Sequence, residues 1–516
     1  MPIPVISPSQ ASDWDAQAGG LGISLETLMD AAGRAVAVVL AERWPDRVGQ
    51  GVLIAAGTGN NGGDGWVLAR VLHRIGAPVW VTCPAGEQSP LCQVMAERAR
   101  REGVREVAAD GPWPGVALLV DALLGTGARG APRAPVQALV DRIGELALPV
   151  LAVDGPTGLD LLNGVSHGQP VQAEVTVTFG GVRRGHLLAR DEVGDIVVVD
   201  IGHPPAPSEW PVLVSDELAA SHIGRLAGSA NKGDRGRVVV VGGDPAMVGA
   251  LRFACRAAFG AGAGLVHAVA PEASVEVLRT AEPDVQTLAH SLEGKLSASL
   301  VELLQRADSV VIGPGLGRAA GRREFVAAVL GHAKAAVVDA DALMVHAGDP
   351  GPLAVVASRI PVVLTPHGGE FRALFPAHAG TQELDPWSAA SAASAEVNAT
   401  VLLKGVPSVV GYRGAAPYTI AAGNPGLATG GSGDLLSGFT GALLAHGHEA
   451  PLAAAIAAQM LGRAAEIGAR RQTARALRPM DVLAALPDLW RAWEVRRSTR
   501  PLLHPPRLLE LLRPAG

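Results

Sequence analysis

Gly423-Asn-Pro-Gly-Leu-Ala-Thr-Gly430-Gly431-Ser432-Gly433-Asp434-Leu-Leu-Ser-Gly438 places a glycine-rich turn, a helix start and one carboxylate in a single run. Gly430 to Gly433 can turn several backbone N–H groups toward an anion with no side chain in the way. The apolar residues that follow predict a helix whose positive end faces that anion. Asp434 stands out, because a carboxylate repels bound phosphate. It makes sense as a base that takes the proton of a hydroxyl attacking phosphorus. The alternative is an acidic residue that merely favours the dipole at a helix start.

Outward from that loop, short β-branched runs bounded by Gly, Asp or Pro recur: Val52–Gly57, Pro78–Thr82, Ala117–Asp121, Pro149–Asp154, Val175–Phe179 and Asp195–Asp200. They read as buried strands. Helically spaced Ala/Arg/Leu segments, such as Gly65–Arg74 and Val94–Glu102, lie between them, so the pattern is βαβ with a mostly parallel sheet. The rhythm breaks at His203-Pro-Pro-Ala-Pro-Ser-Glu-Trp-Pro211, a proline-dense connector that marks a domain boundary. A second series follows at Arg237–Val241, Gly264–Val269, Ser309–Ile312, Ala335–Asp339, Pro361–Thr365 and Thr400–Lys404. The expected fold class is α/β with two domains, residues 1–210 and 211–495, and a surface tail over 496–516.

With 516 residues the chain is too long for one core, and its 48% hydrophobic against 18% charged residues predict packed globular domains. A net charge of −6 supplies no electrostatic reason to expect nucleic acid or an anionic membrane as partner. No charge-free apolar run approaches a membrane span. Cys83, Cys92 and Cys255 lack metal-ligand spacing and predict reduced thiols, hence a cytoplasmic protein.

After the first strand comes Gly57-Thr-Gly-Asn60-Asn61-Gly62-Gly63-Asp64-Gly65, opening a helix: a second phosphate cradle, with two Asn side chains as extra polar ligands. Two more strand ends carry acids, in Asp121-Ala-Leu-Leu-Gly125-Thr126-Gly127 and Asp154-Gly-Pro-Thr157-Gly158. Carboxyl-terminal strand ends of a parallel sheet converge on one crevice, so Asn61, Asp121, Asp154 and Thr157 can approach one another and suit a hard cation. Either Asp taken alone could merely cap a turn.

Leu28-Met29-Asp30-Ala31-Ala32-Gly33 together with these three motifs resembles the amino-terminal domain of bacterial bifunctional NAD(P)H-hydrate repair enzymes, an epimerase of Rossmann-like three-layer αβα fold. The resemblance implies that Asn60, Asn61, Gly62, Gly63, Asp64, Gly125, Thr126, Gly127, Ala128, Arg129, Gly130, Ala131 and Asp154 contact the hydrated nucleotide. It also implies that Asn61, Asp121 and Thr157 hold a potassium ion. Asp154 is the expected acid/base. The family's usual Ser of this last motif is Thr157, which keeps the hydroxyl. A lysine common after the Thr-Phe-Gly strand is replaced by Arg183, which cannot readily carry a proton.

The second half resembles the ribokinase-like αβα domain of the ADP-dependent NAD(P)H-hydrate dehydratases. The matching motifs are Asn231-Lys-Gly233, Gly242-Gly-Asp244, Gly249-Ala250, Gly313-Pro-Gly-Leu-Gly317, Asp339-Ala-Asp341, Thr365-Pro-His367-Gly-Gly-Glu370, Leu403-Lys404-Gly405 and the 423–438 loop. It implies that Ala250, Gly317, His367 and Asp434 meet the hydrate, and that Lys404, Gly405, Val406, Pro407, Ser408 and Gly433 hold the adenine nucleotide. ADP is then a co-substrate, with Mg2+ alongside it. Asp339 and Asp341 stay unassigned between a cation role and a loop cap. A Leu461-Gly462 pair stands where the family commonly has His-Gly.

The reading is therefore a bifunctional enzyme, an isomerase and a lyase, acting on hydrated NADH and NADPH, with a homo-oligomer expected. A vitamin or sugar kinase with an amino-terminal ligand-binding scaffold is the alternative, because the Gly-Gly-Ser-Gly-Asp loop also serves true kinases.

Overall fold

The computed structural model describes residues 2–498 and 506–515. The chain divides into two compact units, residues 1–210 with 502–513 and residues 211–501 with 514–516.

In the first unit the sheet runs, from one edge, Arg507–Leu511, Asp195–Val199, Val175–Phe179, Val150–Val153, Leu118–Ala122, Val52–Ala56, Val79–Thr82 and Arg105–Glu106. Every neighbouring pair is parallel except the first. The pleat sends alternate side chains to opposite faces. Val52, Ile54 and Ala56 join one apolar cluster with the helices Leu25–Arg43, Asn60–Arg74 and Pro90–Arg101. Leu53 and Ala55 join another with Leu139, Val140 and Ile143 of the helix Ala134–Glu145. Both faces of the central strands are thus covered, which is why those strands are largely apolar rather than alternating.

Two sequence expectations change here. The glycine run 60–65 is not a loop ahead of a helix; the helix itself begins at Asn60, capped by Gly59. Its glycines let this first stretch lie against neighbouring backbone. A Cβ at Gly62 would fall 1.9 Å from the Gly57 carbonyl, and one at Gly65 would fall 2.8 Å from Ala122 Cβ. The expected surface tail also carries structure. The helix Pro479–Ser498 runs past residue 495, and Arg507–Leu511 adds an antiparallel edge strand to Asp195–Val199. Residues 499–505 and 516 of that expected tail lie outside the described residues.

The second unit's sheet runs Gln286–Ala289, Leu265–Ala270, Arg237–Val241, Ser309–Ile312, Ala336–Val338, Val362–Leu364 and Thr400–Leu403, all parallel. It continues antiparallel through Ser408–Gly411 and Tyr418–Ile420. One face packs on the helices Val248–Gly260, Ser432–Ala445 and Ala450–Arg471, in a cluster that includes Val238, Val240, Phe439 and Ile456. The helix Pro386–Val397 lies so close to Ser408–Gly411 that a Cβ at Gly411 would fall 2.3 Å from the Ala390 carbonyl carbon. Among the described residues no helix is long and apolar enough to cross a membrane.

Candidate active sites

In the first unit, the carboxyl ends of three neighbouring strands and the start of the helix Asn60–Arg74 border a cleft of about 490 Å³. The strand Val52–Ala56 leads through Gly57 into that helix; Leu118–Ala122 leads to Leu123–Ala128; Val150–Val153 ends at Asp154. Gly57 is tight against the Leu123 carbonyl, where a Cβ would fall 1.8 Å away, so the two loops interlock. Asp154 takes a left-handed backbone, φ 64°, and its N–H donates to the Val177 carbonyl at 2.7 Å. That unusual conformation for a non-glycine residue turns its carboxylate toward the cleft.

The Asp154 carboxylate is saturated with donors. It accepts the Thr126 N–H at 2.7 Å and the Thr126 hydroxyl, with the Thr178 hydroxyl at 3.3 Å. Arg183 Nη2 stands 3.1 Å from its other oxygen. Burial opposes the charge, but the Arg183 guanidinium and the Thr126 donors outweigh it and hold Asp154 below the usual carboxylate range. Arg183 is itself fixed, donating to Thr126 Oγ1 and to the Phe179 and Gly181 carbonyls. Asp64, half-buried across the cleft, is pushed the other way: burial first, then the charges of Asp154 and Asp15, raise it well above the ordinary value.

Asn60, Asn61, Asp64, Gly125, Thr126, Gly127, Ala128 and Asp154 all line the cleft. Gly62 and Gly63 are buried in the helix packing, and Arg129, Gly130 and Ala131 are exposed beyond the rim. The sequence reading missed Trp14, Asp15 and His203. The Trp14 ring stacks on His203 at 4.3 Å, and His203 Nε2 lies 2.8 Å from Asp15 Oδ1. These come from the helix Pro8–Gly20 and from the connector, where only an aromatic paired with a distant His could have signalled them.

Asp121 and Thr157 meet beneath this cleft. Asp121 accepts the Thr157 N–H at 2.7 Å, its hydroxyl at 2.8 Å and the Leu123 N–H at 3.1 Å. Burial raises Asp121 to about 6 against these bonds. Asn61 lies close by Gly125, and its buried amide nitrogen has no partner. The Asn61 carbonyl oxygen, the Thr157 hydroxyl and the Asp121 carboxylate are hard oxygen donors of the kind a monovalent cation takes, whereas the unpartnered Asn61 nitrogen is itself a donor and offers a cation nothing.

In the second unit, Lys404 follows the strand Thr400–Leu403, and its Nζ lies 3.0 Å from Asp339 Oδ1 and 3.6 Å from Glu370 Oε2. Burial opposes its charge, yet Asp339 and Glu370 hold the ammonium firmly protonated. Asp339, 1% exposed, also accepts the Thr365 hydroxyl at 2.7 Å and the Ser437 hydroxyl. It therefore ties three strand ends to the helix Ser432–Ala445. That helix starts after Gly431, φ 103°, and a Cβ on Gly433 would fall 3.4 Å from Lys404 Nζ. Lys404 Nζ thus stands close to the Gly433 backbone, and Asp339 bonds both Lys404 and Ser437 of that helix.

Asp434, in the first turn of the same helix, is pushed up to about 7 by burial and by Asp339, Asp341 and Glu370, with Lys404 opposing. His367 caps the helix Gly368–Leu374: its Nδ1 accepts the Gly369 and Glu370 N–H groups at 3.0 and 3.3 Å. With Nδ1 accepting, the ring's N–H is on Nε2, which lies 3.5 Å from Glu370 Oε1. Gly317, φ 76°, donates its N–H to Asp341 at 3.0 Å, while Ala250 stands in the first turn of the helix Val248–Gly260. In the 404–408 segment, Val406 is 75% exposed and Ser408 Oγ bonds the Gly405 carbonyl.

Residues 238–488 match the NAD(P)H-hydrate dehydratase family, and residues 25–185 match the YjeF-related protein N-terminus. The bifunctional NAD(P)H-hydrate repair enzyme of Escherichia coli (strain K12) is 35% identical over 474 residues, covering 90% of each chain. That of Leishmania infantum is 33% identical over 464 residues, covering 83% of this chain and 82% of its own. Among solved structures, the ADP/ATP-dependent NAD(P)H-hydrate dehydratase from Bacillus subtilis, co-crystallised with ATP and Mg2+, aligns at 24% identity. It covers 54% of this chain and 98% of its own, with a TM-score of 0.47. With relatives of this identity along nearly the whole chain and both halves matched in order, the chain belongs to the family of bifunctional NAD(P)H-hydrate repair enzymes, joining an epimerase to a dehydratase.

Proposed function

We propose that the first unit epimerises hydrated NADH and NADPH at C6 with Asp154 as acid/base, and that the second unit dehydrates the S form with ADP as phosphoryl donor and Asp434 as base. Residues 1–210 and 211–495 are the corresponding domains, and the protein works in the cytoplasm, where its unpaired thiols stay reduced. The observation that carries the reading is Asp434, poised near 7 beside the Lys404 ammonium and the glycine-rich helix start. A base is most effective with a value near the working pH.

Hydroxide leaves C6 poorly, whereas phosphate leaves readily. Asp434 takes the C6 hydroxyl proton as that oxygen attacks the terminal phosphorus of ADP. Lys404 and the N–H groups at Gly431–Gly433 stabilise the transferring phosphoryl. AMP departs, the ring nitrogen lone pair then expels phosphate, and loss of a C5 proton restores the reduced ring. Bound Mg2+ would neutralise charge on the phosphates. In the first unit, Asn61, Asp121 and Thr157 would hold K+, whose charge would steady the loops around the hydrate.

The test is incubation of the full chain with chemically hydrated NADH and ADP. Absorbance of reduced nicotinamide should recover, with one AMP and one phosphate formed per NADH. No recovery with any nucleotide would overturn the dehydratase reading, and recovery with ATP alone would overturn the choice of ADP.

A further inference from the structure

We propose that Asp64 is the proton donor of the epimerase cleft, working against Asp154 as proton acceptor. The inference rests on the epimerase reading of the first unit and adds a second acid to it.

Each of the other ionisable groups around the cleft is already engaged. Asp154 is held by Thr126, Thr178 and Arg183; Arg183 is held in turn by Asp154, Thr126 and two carbonyls; Asp15 and His203 pair with each other. The Asp64 carboxyl lines the same cleft and, among the described residues, has no hydrogen-bond or ion-pair partner. It is anchored by the helix Asn60–Arg74, whose start is locked by glycine contacts, so the free carboxyl is positioned by rigid backbone. The groups that face it are Asp154 and Arg183 beyond the strand ends, Asp15 from the helix Pro8–Gly20, His203 from the connector and the Cys92 thiol from the helix Pro90–Arg101. Two carboxyls facing one cleft while their surroundings drive them to opposite protonation states make an acid and a base. A fixed guanidinium cannot supply the proton, since it stays charged at any working pH.

The step balances within the cleft. Asp64 gives its proton to the C6 hydroxyl oxygen as the carbon–oxygen bond breaks and its electron pair leaves with water. The ring nitrogen lone pair forms the C=N bond of an iminium. Water then adds its oxygen pair to the opposite face of C6, the π pair returns to nitrogen, and Asp154 accepts the released proton. That proton returns to Asp64 through water, and no oxidant or further reactant is required.

The experiment follows conversion of the R to the S hydrate of NADH by NMR, with the full chain and no nucleotide, across pH. Wild type should lose rate on the alkaline side as Asp64 deprotonates. Asp64→Asn should slow conversion about 100-fold or more, the usual worth of a general acid, with the alkaline limb gone and KM little changed. Asp64→Glu should restore part of the rate with a displaced alkaline limb. Retention of most of the rate in Asp64→Asn, or a slower enzyme with the limb intact, would overturn the proposal. If Asp64→Asn does not fold, judged by its thermal melt and by dehydration of the S hydrate, an alkaline limb in Asp64→Glu identical to that of wild type would overturn it. Absence of conversion by wild type would instead bring down the epimerase reading itself.

Discussion

Asp154 stands at a strand end in the cleft bordered by one glycine-rich helix start, Asp434 inside the first turn of another, and their surroundings treat them oppositely. Asp154 is wrapped by two threonines and a guanidinium that keep it ionised despite burial. Asp434 is raised first by burial and then by the charges of Asp339, Asp341 and Glu370, with Lys404 opposing. The same side chain is thereby a fixed anion in one unit and a group near its midpoint in the other. The difference teaches that the glycine loop supplies the place, while the job comes from the charges behind it.

The largest effect that can sharpen this contrast comes from Asp434→Asn. Removing the base should cost about a thousandfold in dehydration, while R-to-S conversion stays unchanged; a coupled loss of both rates would break the idea of two separately tuned carboxylates. Next is Arg183→Met. It leaves Asp154 buried without its cation, and breaking such a pair costs about 3 kcal/mol. Chemical denaturation should register the loss in the first unit, and the acid limb of epimerisation should move to higher pH, because the shift that holds Asp154 down is gone. Unchanged stability would mean that the threonine donors suffice.

The strands and the parallel order were legible because buried parallel strands are apolar and end at the ligand crevice, and of the expected group the structure pairs Asp121 with Thr157 and brings Asn61 and Asp154 to Gly125. The helical state of Asn60–Gly65 was not, since glycine and asparagine propensities speak against a helix and only close packing favours one there. The cleft wall of Trp14, Asp15 and His203 was hidden for another reason: its members stand far apart in sequence and follow no local period. His367 is expected to meet the hydrate, yet one of its ring nitrogens is spent on a helix cap that the His-Gly-Gly-Glu spacing already contained.

The closing strand was equally hidden, because a Pro-rich tail gives no hint of a distant partner. Deleting residues 506–516 would uncover the edge of Asp195–Val199 and remove Leu511, which is buried at 5% accessibility. The Arg513 N–H bond to Asp195 would go too. Burial of one such leucine is worth about 2 kcal/mol, so the melting temperature of the first unit should fall while dehydration by the second persists. An unaltered melt would show the strand to be dispensable.

The smallest expected effect probes the charges behind Asp434 directly. With a value near 7, dehydration should decline as pH falls below neutrality, since the protonated carboxyl cannot accept the hydroxyl proton. Asp339 raises Asp434 by like-charge repulsion, and it also occupies part of the Lys404 charge. In Asp339→Asn the repulsion disappears and the freed ammonium bears more strongly on Asp434. Both changes lower the Asp434 value, so the acid limb should move to lower pH, by about one unit or roughly 1.4 kcal/mol. The maximal rate should fall as well, because Lys404 is no longer held toward Gly433. A limb that stays in place while the rate falls would assign Asp339 to positioning alone, and would leave burial, already the largest cause, to carry the raised Asp434 value without it.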